Sequence, residues 1–296
     1  MPLWDNIALV GVGLLGGSLG QAVRERRLAG RVTGYVRRDA SIAECEKAGA
    51  VDKAGTDLLK AVEGSDLVVL CTPIAQMAEL TTRMLSALKP GCIVTDVGSV
   101  KGSVVAELEP LVASAKAHFI GSHPMAGAEK MGVLAARANL FEGAMCVMTP
   151  TAKSPAKLVT KLEELWRSVG GKPLRLTPDL HDDLVSRSSH LPHVVAAELA
   201  NYVLSPVHPK EQGMLCATGF RDTTRIASGS PEMWRDISLS NRKNLARVLG
   251  VFIEDLQEFQ HALDNEDVKV IEEFFAKAKE RRDEWVAQAT NTTSPE

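Results

Sequence analysis

A glycine-rich turn between the first apolar run and the first amphipathic stretch constrains the fold of this chain more than any other feature. The apolar run at residues 6–10 predicts a strand, and the stretch at residues 17–26 predicts a helix. Between them, Gly11, Gly13 and Gly16 stand in the spacing GxGxxG. Between a strand and a helix, such glycines allow a tight turn and let backbone N–H groups approach a pyrophosphate. We therefore predict a dinucleotide-binding βαβ unit, with a glycine-rich packing turn as the alternative.

The rest of the first half alternates apolar runs with amphipathic stretches. Further strands are predicted at residues 31–36, 66–72, 93–97, 118–122, 144–149 and 174–176, and further helices at 41–48, 100–113 and 159–169. Strands this apolar, separated by helices, are typical of a parallel sheet that is covered on both faces. The fold class predicted for this half is α/β, with a Rossmann-type parallel sheet.

The pattern changes near Pro178. Beyond Asp179 the long stretches at residues 180–204, 233–262 and 268–289 are helical in period, and no strand is predicted. We predict a dinucleotide-binding Rossmann domain over residues 1–178 and an all-helical substrate and dimerisation domain over residues 179–296.

The helical half carries more apolar side chains than one monomer core needs. The stretch at residues 247–259 has apolar residues on several faces, namely Val248, Val251, Phe252, Leu256 and Phe259. Large apolar surface without a partner in the monomer marks an interface. We therefore expect a homodimer that is built through this domain.

Composition excludes several other partners. The formal net charge is −3, so no basic field indicates a nucleic-acid surface. No apolar run approaches the roughly 20 residues that span a bilayer, so no membrane partner is expected. Five cysteines occur without a CxxC pair, and we interpret them as free thiols of a reducing compartment. We expect the protein to be cytoplasmic.

The end of the second predicted strand bears on the type of dinucleotide. An NAD site usually has an acidic residue there that binds the ribose 2′-hydroxyl, but this chain has Val36 near that position, followed by Arg37 and Arg38. Arginine forks suit a 2′-phosphate, so we predict NADP. The alternative is NAD, with Asp39 at the ribose and both arginines solvated. The predicted cofactor-binding set comprises Gly11, Gly13, Leu14, Leu15, Gly16, Arg37, Arg38, Thr72 and Pro73.

A histidine among small residues indicates where redox chemistry takes place. His123 lies in the stretch from Gly121 to Gly127, after one of the last apolar runs of the first half. Small neighbours let a substrate and a nicotinamide ring approach the backbone closely. An imidazole accepts a proton near neutral pH, as the oxidation of an alcohol requires.

Five motifs in order give the chain a family resemblance. They are GVGLLGGSLG (11–20), DVGSVKG (96–102), GSHPMAGAEK (121–130), SHLPH (189–193) and FRDTTRIASGSPEMWRDI (220–237). With these, the chain resembles the prephenate/arogenate dehydrogenase family of tyrosine biosynthesis. The resemblance implies a nucleotide-binding domain followed by a helical dimerisation domain. It also implies NAD(P)-dependent oxidation of a ring C4 hydroxyl with loss of the C1 carboxylate from prephenate, arogenate or both.

The resemblance also implies roles for single residues. His123 is the catalytic histidine, and Ser99 sits beside it near the hydroxyl and the nicotinamide. The substrate-binding residues it implies are His190, His193, Arg225, Arg221, Glu129 and Trp234. Ala128 replaces a threonine common in the family, which puts the hydrogen bonding at the pocket edge near Glu129 in doubt.

Several of these residues have other interpretations. His190 and His193 have a spacing that suits a metal, but no carboxylate or cysteine completes a ligand set, so no metal is predicted. His193 and Trp234 are equally consistent with packing. Arg225 is also consistent with an ion pair between helices.

Two rival functions remain for comparison. A β-hydroxyacid dehydrogenase of the 6-phosphogluconate type would use a lysine on a helix of the second domain, where the stretch from His181 to Tyr202 has His190 and no lysine. A non-catalytic NAD(P)-binding regulator would lack the proton acceptor, whereas His123 and Ser99 are both present. The sequence does not decide between prephenate and arogenate as the substrate.

Overall fold

The structure, a computed structural model, describes residues 2–128 and 130–291. It divides into two compact units, Met1–Asn244 and Leu245–Glu296. No helix among the described residues is long and apolar enough to cross a membrane.

The first unit is organised around a six-stranded parallel sheet, so the predicted α/β fold is confirmed. The strand order is β3-β2-β1-β4-β5-β6. The strands are β1 (Trp4–Val10), β2 (Ala29–Tyr35), β3 (Lys53–Gly55), β4 (Leu67–Leu70), β5 (Ile93–Asp96) and β6 (His118–Phe119). The predicted second strand thus ends at Tyr35, and the short β3 was not predicted.

Both faces of this sheet are buried because successive strand residues alternate between two apolar clusters. In β1, Ile7 and Leu9 lie in one cluster, while Ala8 and Val10 lie in the other. The helices that cover the faces are α1 (Leu14–Glu25), α2 (Ala40–Lys47), α3 (Leu58–Val62), α4 (Ile74–Met84), α5 (Gly102–Ser114) and α6 (Ala156–Ser168). The apolar spacing of Met77, Leu80 and Met84 marks the buried face of α4, a helix that the sequence analysis did not predict.

The strand predicted at residues 118–122 is wrong as a single strand. After β6 the chain leaves the parallel sheet, and β7 (Gly121–Pro124) joins a second sheet with β8 (Met145–Thr149) and β9 (Lys172–Arg175). In that sheet β7 is antiparallel to β8, while β9 is parallel to it. Where the chain changes sheets, a Cβ on Gly121 would lie 2.5 Å from the Thr149 hydroxyl, so a larger residue here would force its neighbours to shift.

Beyond Arg175 the described residues form no strand, as predicted. The helices are α7 (Pro178–Val185), α8 (Leu191–Val203), α9 (Glu211–Met214), α10 (Thr218–Thr224), α11 (Pro231–Ser240), α12 (Arg242–Asp264) and α13 (Val268–Asn291). A π-helical turn, Ser186–His190, joins α7 to α8 without a break. The helix predicted at 233–262 is wrong as a single helix, because it is interrupted at Asn241 between α11 and α12.

The second unit contains most of α12 and all of α13. Phe259 of α12 packs on Phe274 of α13, with ring centroids 4.5 Å apart. Many apolar side chains of this unit remain exposed, among them Val251, Leu256, Leu263, Val268, Phe275 and Trp285.

Candidate active site

The predicted cofactor turn has the geometry that a pyrophosphate requires. Gly11 has a φ of +95°, and a Cβ there would lie 2.8 Å from the carbonyl oxygen of Cys71. A Cβ on Gly16 would overlap the carbonyl of Gly11. Gly13, in contrast, faces open space, and no side chain caps the N-terminus of α1. No side chain therefore occupies the backbone N–H groups at the N-terminus of α1, where the phosphates of a dinucleotide would bind, so the turn fits the cofactor.

The other residues of the predicted cofactor set lie at the same edge of the parallel sheet. Thr72 and Pro73 follow the carboxyl end of β4, and a Cβ on Gly11 would touch the Thr72 methyl group. The Thr72 hydroxyl is buried without a hydrogen-bond partner. Leu14 is buried and Leu15 half-buried at the start of α1.

The residues after β2 present charge to solvent at that edge. Val36 is buried, while Arg37, Arg38 and Asp39 are exposed. The Asp39 carboxylate accepts a hydrogen bond from the Thr56 hydroxyl at 2.9 Å. Two basic side chains and one hydrogen-bonded acidic side chain thus follow β2 at this edge of the sheet.

His123 stands on β7, which a buried ion pair ties to the end of β5. The carboxylate of Asp96 accepts from the backbone N–H groups of Ser122 (3.1 Å) and Gly98 (2.8 Å) and pairs with Lys101. The Lys101 ammonium also donates to the Ser122 carbonyl at 2.9 Å. Since Asp96 and Lys101 are fully buried, this pair fixes His123 against the loop that carries Ser99.

A second histidine and a carboxylate stand behind His123. The Nδ1 of His123 lies 2.9 Å from the Nε2 of His181, and the Nδ1 of His181 lies 2.8 Å from an oxygen of Asp182. His181 and Asp182 belong to α7 and are buried. Neither was predicted as a site residue. Only the fold brings this pair to His123.

The environment keeps the His123 imidazole neutral. Burial holds the pKa of His123 well below its usual range, and the nearby Lys101 ammonium acts in the same direction. At neutral pH the ring therefore has an unprotonated nitrogen, as a general base requires.

His190 lies in the π turn at the end of α7, in the same buried cluster. Burial lowers the pKa of His190 to about 4, although the Asp182 carboxylate and the backbone of Ser99 oppose this shift. The Asn241 amide donates to the Asp182 carbonyl at 2.8 Å and lies 3.2 Å from the Nδ1 of His190. Because that carbonyl only accepts, the amide nitrogen faces His190 and favours the tautomer with Nε2–H. Asn241, which interrupts the helical pattern, was missed by the sequence analysis.

The remaining predicted substrate residues lie around His190. The ring of His193 stacks on Trp234 with centroids 3.8 Å apart, and His190 meets the edge of the same indole at 6.1 Å. Burial lowers the pKa of His193, and the nearby Arg225 guanidinium contributes in the same direction. Arg225 and Arg221 are exposed. Glu129 lies outside the described residues.

No metal centre accompanies this cluster in the described part of the chain, where no group of three His, Cys, Asp or Glu side chains could hold an ion. The chemistry available is that of a neutral imidazole, buried hydrogen-bond donors and a surface guanidinium.

Comparison with protein families gives two matches that cover most of the chain. The model of the prephenate dehydrogenase nucleotide-binding domain matches residues 19–174. The model of the prephenate dehydrogenase dimerization domain matches residues 177–280. Among individual proteins, the cyclohexadienyl dehydrogenase of Zymomonas mobilis is 33% identical over 286 residues, which are 95% of this chain and 96% of that protein.

Solved structures of similar chains have the same fold. Prephenate dehydrogenase from Aquifex aeolicus, in complex with hydroxyphenyl propionate and NAD+, superposes with a TM-score of 0.88 at 33% identity, covering 95% of this chain and 98% of that one. The arogenate dehydrogenase of Synechocystis superposes with a TM-score of 0.81 at 30% identity, covering 95% and 99%.

Proposed function

Because the chain belongs to the prephenate dehydrogenase family and is thus an oxidoreductase, we propose that it oxidatively decarboxylates prephenate, arogenate or both for tyrosine biosynthesis. The observation that carries the assignment of the base is the neutral, buried imidazole of His123 on β7, next to Ser122, whose backbone N–H donates to Asp96 at the carboxyl end of β5.

The first step is a proton and hydride transfer at one carbon of the substrate. His123 accepts the proton of the C4 hydroxyl, and the hydroxyl becomes a carbonyl as C4 loses hydride. When bound, the nicotinamide ring supplies the hydride acceptor. A positioned general base of this kind contributes about 10²–10⁴ in rate. Ser99, on the loop after β5, hydrogen-bonds the same oxygen and fixes its direction.

The second change is loss of the C1 carboxylate as carbon dioxide. The electron pair of the breaking carbon–carbon bond enters the ring, which becomes aromatic. Aromatisation makes the reaction effectively irreversible. Because the departing hydride leaves an electron-poor ring that accepts this electron pair, the protein has no carbanion to stabilise. Its task is to orient the substrate.

We propose that Arg225 binds a substrate carboxylate and that His190 donates from Nε2 at the same pocket. Support comes from the proximity of the Arg225 charge to His193, which stacks on Trp234 next to His190. Arg221 and Glu129 are proposed to complete the pocket edge. A guanidinium fork is suited to a carboxylate because it donates two parallel hydrogen bonds.

We propose NADP as the preferred cofactor. Support comes from Arg37 and Arg38, which are exposed directly after β2, and from Val36, which is apolar and buried. Asp39, the residue that an NAD site would use, is hydrogen-bonded to Thr56. The Aquifex aeolicus relative was crystallised with NAD+, so the proposal distinguishes this chain from that enzyme.

We further propose that the active protein is a cytoplasmic homodimer, with the two-domain boundary near residue 178. Support for the dimer comes from the match to a dimerization domain and the exposed apolar side chains of α12 and α13. Support for the location comes from five cysteines in the free form. Support for the boundary comes from the two family matches, because the first ends at residue 174 and the second begins at residue 177.

A two-by-two assay tests the activity, with prephenate or arogenate against NAD or NADP. We expect cofactor reduction with at least one substrate, release of carbon dioxide in equal amount, and faster turnover with NADP. The control is His123→Asn, which should bind cofactor and turn over about 10²–10⁴ times more slowly. Absence of turnover in all four combinations by a folded, cofactor-binding protein would refute the assignment. A β-hydroxyacid dehydrogenase would instead oxidise simple 3-hydroxy acids. The structural likeness to such an enzyme, 3-hydroxyisobutyrate dehydrogenase, is at 16% identity and shows the fold alone.

A further inference from the structure

We propose that His181 and Asp182 are positioning residues that hold His123 in a single tautomer, with the proton on Nδ1 and the lone pair on Nε2. The inference rests on the proposed function only in making that lone pair the acceptor of the substrate proton. The tautomer itself follows from the order of donors and acceptors along the chain Asp182–His181–His123.

Three hydrogen-bond donors converge on the carboxylate of Asp182. The backbone N–H of Lys101 donates to Oδ1 at 2.7 Å, and that of Gly102 donates to Oδ2 at 2.8 Å. Backbone amides cannot reverse their role, so both carboxylate oxygens are acceptors. They also lie at the N-terminus of α5, where negative charge is stabilised. The Nδ1 of His181, 2.8 Å from Oδ1, therefore carries a proton and donates it to the carboxylate.

The proton on Nδ1 of His181 determines the protonation of its other nitrogen, Nε2. A neutral imidazole with Nδ1–H has a lone pair on Nε2. That Nε2 lies 2.9 Å from the Nδ1 of His123, and the two rings meet edge to face with their planes at 70°. His123 must then donate from Nδ1, which leaves its Nε2 unprotonated. With the opposite tautomers, His181 would lose its hydrogen bond to Asp182.

The consequence for the reaction concerns the imidazolium that forms when His123 accepts a proton. Its Nδ1–H already donates to His181, which donates in turn to a buried carboxylate. The new positive charge is therefore stabilised by a preorganised acceptor, and the ring needs no reorientation between turnovers. No bond of the substrate involves His181 or Asp182.

Nitrogen-15 NMR of the enzyme labelled at histidine tests the tautomer directly, with the His123 and His181 signals assigned from variants at those positions. At neutral pH we expect both rings to be protonated on Nδ1 and unprotonated on Nε2. A His123 signal that is protonated on Nε2 overturns the proposal, as does a His181 protonated on both nitrogens. This measurement uses the wild-type protein and does not depend on activity.

Kinetics of two substitutions separate positioning from packing. His181→Gln retains an amide oxygen that can accept from the Nδ1 of His123, while His181→Leu fills the space and accepts nothing. We expect kcat to fall about 10- to 100-fold in His181→Leu and about tenfold or less in His181→Gln, with KM and cofactor affinity nearly unchanged. A purely structural role predicts the reverse order, because leucine suits a fully buried site better than glutamine does.

A matched control uses the next residue of the same helix. Asp183 forms an ion pair with the exposed Arg187, so Asp183→Asn should leave kcat within about twofold of wild type. Equal kcat for His181→Leu and wild type, or losses that follow thermal stability, would overturn the positioning role. Failure of wild type in the two-by-two assay, with the expected tautomers observed by NMR, would refute the function and leave the positioning inference intact.

Discussion

At the scale of single residues, the protonation state of His123 decides whether the site can act as a base. Changing His123 to asparagine keeps a polar group of similar reach and removes the proton acceptor. We expect kcat to fall by about 10²–10⁴ with little change in cofactor affinity. Steady-state kinetics measure kcat, and fluorescence titration measures cofactor affinity. Near-normal turnover of the variant would show that another residue is the general base.

The pH profile follows from the same group. Because the pKa of His123 is lowered, the cationic and inactive form accumulates only below the usual histidine range. The acidic limb of kcat/KM is therefore expected below pH 6.5, and it should vanish or move in His123→Asn. An unchanged acidic limb in the variant would assign it to another group, with His190 the next candidate.

Arg225 is expected to behave differently from His123. A carboxylate anchor acts in the ground state and in the transition state alike, so Arg225→Ala should raise the substrate KM far more than it lowers kcat. Arg187→Ala is the matched control. Arg187 is also an exposed arginine, but its partner is Asp183, one helical turn before it. Unchanged KM in Arg225→Ala would support an ion-pair role instead.

The sequence could identify His123 but not the residues behind it. His123 has a recognisable motif, and its neighbours are small. His181, Asp182 and Asn241 have no comparable signal, because their importance depends on contacts with residues distant in the chain. Donor and acceptor geometry of this kind becomes visible only once the fold is known.

At the scale of elements, the turn between β1 and α1 separates two roles of glycine. Gly13 has a φ of −91° and open space at its Cβ position. Gly13→Ala should therefore leave the Tm nearly unchanged and weaken cofactor binding, because the methyl group meets the pyrophosphate. Gly11→Ala, at a φ of +95° and in contact with Cys71, should instead lower the Tm. Thermal melts and cofactor titrations of both variants test this, and tight cofactor binding by Gly13→Ala would contradict it.

The two arginines on the loop after β2 are expected to bind the 2′-phosphate of NADP. Replacing Arg37 and Arg38 with alanine should weaken NADP binding about 10- to 100-fold and leave NAD nearly unchanged, because a charge-assisted contact to phosphate is worth roughly 1.5–3 kcal/mol. Arg31→Ala, an exposed arginine nearer the start of the same strand, is the control. Equal effects on both cofactors would show that the arginines are only solvated charges.

Elements with strong periodicity were predictable, and short or redirected ones were not. The central strands were found because each is a continuous apolar run between helices. The three-residue β3 contains a lysine and a glycine and has no such run. Residues 118–122 read as one apolar run although the chain changes sheets within it, because hydrophobicity reports burial and not the identity of the pairing strand.

At the scale of the whole molecule, association is expected from the apolar surface of the second unit. Trp285 of α13 is 62% exposed and Val268 is 74% exposed, and many exposed apolar side chains on one unit are typical of an interaction surface. Light scattering at micromolar concentration should therefore give twice the chain mass of 31.8 kDa. A monomer under these conditions would contradict the dimer.

The position of Asp182 in the chain has a consequence for where two such enzymes can be joined in a chimera. It lies on the helical side of the boundary proposed near residue 178. Its carboxylate nevertheless accepts hydrogen bonds from backbone N–H groups at the start of α5 and is linked to His123 through His181. A chimera joined at residue 178 would take its proton acceptor from one parent and the orientation of that acceptor from the other. Crossovers that exchange substrate preference and keep turnover are therefore expected downstream of Asp182, so residues 179–182 are inherited with the cofactor half.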